Sequence, residues 1–163
     1  MRLFIASPVV LDNYSSIKED FKNIIEGKWV EEQNLHLTWV FLGELKDEKP
    51  IIDKLHEIPA LEESIEIKEL GYFGRPPRVF FARSKEKVLY EKAKQFTDSG
   101  FDIYRFQPHV TLCRIKTILD YKAYKEKLKI YRNKTLGAIL PEISLYKSIF
   151  TTEKVDYQCR FKH

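Results

Sequence analysis

A tripeptide of the form His-x-Thr occurs twice in this chain, as His36-Leu37-Thr38 and as His109-Val110-Thr111, and 73 residues separate the two copies in a chain of 163. Other segments recur in the same order around it. Arg2-Leu3-Phe4-Ile5-Ala6 matches Arg78-Val79-Phe80-Phe81-Ala82 at an offset of 76, and Glu66-Ile67 matches Glu142-Ile143 at the same offset. Collinear offsets that agree to within three residues describe an internal duplication. A chain of this length fits one domain, residues 1–163, built from two lobe-level repeats of approximately 1–75 and 76–163.

The hydrophobic pattern gives each half the order strand, helix, His-x-Thr strand, helix, strand. In the first half, residues 2–7 read as a strand and 13–26 as a helix, with Ile17, Phe21, Ile24 and Ile25 at helical spacing and Gly27 as its stop. Residues 35–43 form a strand with Leu35, Leu37, Trp39 and Phe41 on its packed face. Pro50 opens a short helix, Ile65 and Ile67 alternate in a strand, and Gly71 and Gly74 mark turns. In the second half, strands are expected at 78–82, 106–115, 139–150 and 155–161, with helices at 86–98 and 120–129. Short helices with alternating strands define an α+β fold. The expected form is bilobal: two lobes of antiparallel sheet related by a pseudo-two-fold axis, helices outside, and a groove between the facing His-x-Thr strands.

Composition narrows the function. A net charge of +4 suits a phosphate-bearing partner and falls short of the dense basic stripe a duplex binder needs. No segment approaches the roughly 20 apolar residues of a membrane span. The N-terminus lacks the basic region and cleavage site of a signal peptide, so a cytoplasmic monomer is expected. Cys113 and Cys159 have no redox or metal spacing and are expected to be free thiols.

Residues i and i+2 share one face of a strand, so each His-x-Thr presents an imidazole beside a hydroxyl. By the same alternation Cys113 should join His109 and Thr111. Histidine is the side chain that gives and takes protons near neutral pH. Two such strands facing each other suit a phosphate diester. One neutral imidazole takes a proton from the attacking water, one protonated imidazole delivers a proton to the leaving oxygen, and the threonine hydroxyls donate to the non-bridging oxygens. The chain offers no His-carboxylate cluster at ligand spacing, so no metal and no cofactor are expected.

Asn34-Leu35-His36-Leu37-Thr38-Trp39-Val40-Phe41-Leu42-Gly43-Glu44 and Pro108-His109-Val110-Thr111-Leu112-Cys113-Arg114 resemble the two signatures of the two-histidine (2H) phosphoesterase superfamily, within it the RNA 2',3'-cyclic phosphodiesterase (2'-5' RNA ligase-like) family. Arg2-Leu3-Phe4-Ile5-Ala6 and Arg75-Pro76-Pro77-Arg78-Val79 resemble that branch too. The resemblance implies metal-independent hydrolysis of RNA 2',3'-cyclic phosphate ends to 2'-phosphate. By position, His36 would be the general acid for the 3'-oxygen and His109 the general base for water. Thr38 and Thr111 would hold the phosphate, and Arg114 would add a charged contact. Plain alternation turns Arg114 away from His109, so this role requires a twist, a bulge or a long reach. Phe4 is a candidate to stack on the terminal base, against its reading as a core aromatic.

The partners implied are RNA 3' ends bearing 2',3'-cyclic phosphate, or cyclic nucleotides. The reverse reaction, 2'-5' ligation, needs the same histidines. A non-catalytic RNA-end binder, or an enzyme for a small cyclic nucleotide such as ADP-ribose 1'',2''-cyclic phosphate, would share the groove. His56 is expected to be exposed, and His163 to be frayed.

Overall fold

The computed structural model describes residues 1–163. The order of elements is β1 (Arg2–Leu11), α1 (Tyr14–Phe21), β2 (Ile25–Trp29), β3 (His36–Glu44), α2 (Lys49–Leu55), β4 (Ile65–Ile67), β5 (Glu69–Phe73), β6 (Val79–Arg83), α3 (Lys87–Asp98), β7 (Val110–Ile118), α4 (Tyr121–Ile130), β8 (Gly137–Ile139), β9 (Ser144–Phe150) and β10 (Val155–Lys162). All strand pairings are antiparallel. One sheet runs β10-β9-β1-β8-β4, with β3 on the other edge of β1; the second runs β2-β7-β6-β5. This is an α+β architecture of two antiparallel sheets and four helices.

The two sheets share a plan. A central strand, β1 or β6, carries a His-x-Thr strand on one side, β3 or β7, and a third strand on the other, β9 or β5. The sheets are not the two halves of the chain, however. β2 and β5 from the first half join the second sheet, and β8, β9 and β10 from the second half join the first. The helices cross over as well. Phe96 of α3 stacks against Trp39 of β3, whereas Phe21 of α1 and Tyr124 of α4 pack on Phe80 of β6. Each sheet thus buries its outer face under helices, and 33 buried residues form one core cluster.

The register corrects the repeat. With β3 and β7 superposed at 73 residues, Val40 pairs with Ile5 and Cys113 with Phe80. Ile5 therefore corresponds to Phe80, an offset of 75 and not 76. A one-residue slip flips every side chain to the other face. Phe80 joins the core, while Phe4 lies outside the core cluster, on the inner face of its sheet. The third strands correspond at 73 too: Tyr146 pairs with Phe4, as Phe73 pairs with Val79. Identity of residue type favours the wrong register because both central strands are uniformly apolar.

Tertiary pairing also overrides local pattern elsewhere. The helix expected over 13–26 ends at Phe21, because Ile25–Trp29 is drawn into a ladder with β7. Gly27 does not stop that helix; it allows close approach of strands, since a Cβ there would strike the Arg114 carbonyl and come within 2.9 Å of Cys113 Sγ. Gly71 sits in β5 and not in a turn. The strand expected over 139–150 breaks at Pro141, which has no N–H to give a ladder. His56 is exposed, as expected. His163 is not frayed: its N–H donates to the Ile143 carbonyl at 3.1 Å and its ring reaches the Leu55 carbonyl. Cys113 and Cys159 are free thiols. No helix is long and apolar enough to cross a membrane.

Candidate active site

A cavity of about 380 Å³ lies where β3 and β7 meet, and it is lined by His36, Thr38, His109, Thr111, Arg114 and Phe4 together. These six candidates thus face one volume. Tyr157, Arg2, Phe41 and Phe150 line it as well. The sequence marks none of these four for the site, since their approach depends on strand pairing and register.

Two matching β-bulges build the walls. In β3 the ladder skips Trp39, pairing Val40 with Ile5 and Thr38 with Ala6. In β7 it skips Leu112, pairing Cys113 with Phe80 and Thr111 with Phe81. Each extra residue resets the alternation. Trp39 and Val40 are both buried, as are Leu112 and Cys113, and the next residue turns back to the cavity. The bulge in β7 thereby supplies the turn that Arg114 needs to share a side with His109. It also corrects two expectations. Cys113 is fully buried and does not accompany His109, and Phe41 faces the cavity at 58% exposed instead of packing with Trp39. Trp39 is held between Phe96 and Phe106, and its indole N–H donates to Ser7 Oγ at 2.8 Å.

The two imidazoles are oriented in the same way. His36 Nδ1 lies 2.7 Å from the Asn34 carbonyl, and His109 Nδ1 lies 2.8 Å from the Gln107 carbonyl. A carbonyl only accepts, so each Nδ1 carries a proton and Nε2 is left as the titrating atom. Each ring also sits between two aromatics. His36 lies 5.1 Å from Phe4 and 5.1 Å from Tyr157; His109 lies 4.9 Å from Phe73 and 5.7 Å from Phe81. Gly71 makes room for the second arrangement, because a Cβ there would come within 2.7 Å of the Phe81 ring.

These rings displace water, and loss of solvation disfavours the imidazolium. Burial is the main reason that both histidines titrate below 6.5. Their backbone hydrogen bonds oppose the shift, while the Arg114 charge adds to it for both, and His109 adds to it for His36. Phe4 is only 4% exposed, with Tyr146, Tyr157 and His36 around it. Its place is that of a wall against His36, and little of its ring is open to a nucleobase. No cluster of three or more His, Cys, Asp or Glu side chains suited to holding a metal ion is present.

Two imidazoles, two hydroxyls and a guanidinium around one pocket are the groups that a phosphoesterase site of the two-histidine kind requires. Comparison with known proteins agrees. A family model described as LigT-like phosphoesterase matches residues 5–81. An RNA 2',3'-cyclic phosphodiesterase of Methanocaldococcus jannaschii is 34% identical, with 97% of each chain covered. One of Aquifex aeolicus is 33% identical over 91% of this chain and 87% of its own. Among solved structures, TT0787 of Thermus thermophilus superposes with a TM-score of 0.73 at 24% identity, covering 99% of this chain and 96% of that one. LigT of E. coli in its apo form gives 0.69 at 24%, covering 99% and 95%. The chain belongs to the LigT-like family of the 2H phosphoesterase superfamily.

Proposed function

We propose that this protein hydrolyses 2',3'-cyclic phosphate ends of RNA to 2'-phosphate, without a metal, by acid–base catalysis between His36 and His109. The observation that carries the reading is the matched pair of Nδ1 contacts, which leaves two Nε2 atoms for one cavity. His109 Nε2 accepts a proton from water as its oxygen bonds to phosphorus. The bond from phosphorus to O3' breaks, and His36 Nε2–H supplies the proton that O3' takes. The phosphate stays on O2'. Turnover leaves His109 charged and His36 neutral, and exchange with solvent restores both. Thr38, Thr111 and Arg114 hold the non-bridging oxygens, where negative charge builds. Approach of the anionic diester favours the protonated imidazole that burial disfavours.

The names of the M. jannaschii and A. aeolicus relatives support this substrate class. Because strands of both halves are exchanged between the sheets, the catalytic unit is the single domain of residues 1–163. We place it in the cytoplasm, acting as a monomer on RNA 3' ends. Microscopic reversibility allows the same pair to join a cyclic phosphate end to a 5'-hydroxyl through a 2'-5' bond.

The deciding assay incubates the protein in EDTA with a short RNA ending in 2',3'-cyclic phosphate, with and without a 5'-hydroxyl RNA. A 2'-phosphate product supports the proposal, and a longer RNA with a 2'-5' linkage adds the reverse reaction. A 3'-phosphate product, loss of activity in EDTA, or binding without turnover overturns it.

A further inference from the structure

Three side chains form a stack at the mouth of the cavity. The Arg2 guanidinium lies 5.0 Å from the centre of the Phe41 ring and 5.5 Å from that of Phe150, within reach of cation–π attraction. Phe41 is 58% exposed and Phe150 60%. Neither ring belongs to the core cluster. Arg2 pairs with no carboxylate. Two phenylalanines left open beside a cavity and bridged by an uncompensated cation make a surface for a flat, anionic ligand.

The position of the stack suggests which ligand. Phe41 pairs with Phe4 and Thr38 with Ala6, so Phe41 lies two register positions, about 7 Å, beyond Thr38 on the cavity side of β3. Phe4 and Tyr157, which touch His36, occupy the wall beside the reacting end. Arg2 precedes Phe4 by two residues on β1, so the stack lies one step along the cavity wall from the residues that touch His36. Lys28, Lys154 and Arg114 join Arg2 along the lining, against the carboxylates of Glu31 and Glu153, so the surface favours an anionic chain. Aromatic faces with an arginine beside them bind unpaired bases by stacking and the backbone by charge.

We propose that Arg2, Phe41 and Phe150 form a stacking subsite for the nucleobase that precedes the cyclic-phosphate end, which makes an RNA strand a better substrate than a free cyclic nucleotide. This rests on the cyclic-phosphodiesterase reading and names the part of the substrate that reading leaves open. The test uses two dinucleotides that end in the same 2',3'-cyclic phosphate, one with an upstream adenine and one with an abasic upstream residue. The wild-type protein should process the first with a kcat/KM about tenfold higher, the usual order for one stacked base. The Phe41→Ala, Phe150→Ala double variant should bring the two substrates to within about twofold of each other. Phe41→Leu, which keeps bulk without a ring, should move in the same direction. No preference in the wild type, or a preference the variants retain, overturns the subsite. If no cyclic substrate is turned over, the cyclic-phosphodiesterase reading fails, and the subsite is judged by Kd for dinucleotides ending in 2'-phosphate. A base-dependent difference that the double variant loses supports it, and the absence of one overturns it.

Discussion

The His36 and His109 half-sites reach nearly the same geometry with different surroundings. Both strands carry a bulge at corresponding positions, Trp39 and Leu112, and both imidazoles bind the carbonyl two residues before them. The aromatic corners differ. β1 and β10 supply Phe4 and Tyr157 to His36, whereas β5 and β6 supply Phe73 and Phe81 to His109. The next cavity-facing residue also differs, being Phe41 in β3 and Arg114 in β7. β10 has no counterpart in the second sheet. The two strands thus hold two equivalently oriented imidazoles, each in an aromatic corner, with the Arg114 charge acting on both. The proposed acid and base differ in protonation, since one imidazole must hold a proton while the other lacks it.

The largest effect should come from removing either proposed proton carrier. His36→Ala and His109→Ala should each lower turnover of a cyclic-phosphate RNA by roughly 10²–10⁴-fold. Near-normal turnover in either variant would break the equivalence of the two half-sites. The bulge in β3 is tested next. Trp39→Ala should cost about 3–5 kcal/mol in denaturant unfolding, because it empties the space between Phe96 and Phe106. A much smaller loss would mean that the bulge does not depend on its buried indole.

Arg114→Gln sharpens the comparison further. Because Arg114 is a proposed charged donor to the phosphate, its loss should lower kcat by about 10²-fold. The Arg114 charge lowers the titration of both histidines, so its removal should move the pH–rate profile toward higher pH. Phe41→Ala should leave the pH profile in place. The smallest effect is the position of the wild-type optimum. Both histidines titrate below 6.5 in the free protein, mainly through burial. The singly protonated pair is most populated between its two macroscopic pKa values. The bell in kcat/KM should therefore peak below the ordinary histidine pKa of 6.5, and a peak above it would contradict the desolvated pair.

Much of the site is legible in sequence because His-x-Thr needs only strand alternation to put both side chains on one face. The same rule fails three residues later. Phe41, Cys113 and Arg114 all lie past a bulge, and an inserted residue leaves no mark in the hydrophobic pattern when its neighbours are apolar, as Trp39-Val40 and Leu112-Cys113 are. The helical pattern overshoots the end of α1 for a similar reason: Ile24 and Ile25 satisfy a helical period as well as a strand. Tyr157 carries no signal, because its meeting with His36 requires β10, far along the chain, to pair with β9 beside β1.

The sequence by itself determined the duplicated plan, the α+β class and the two His-Thr pairs, because these depend on local periodicity and on residues that repeat. The tertiary structure alone decided which strands the two sheets exchange, where the ladders slip, and which side chains therefore face the cavity. Register and bulges are set by packing between strands distant in sequence, and a shift of one residue exchanges the core face for the cavity face.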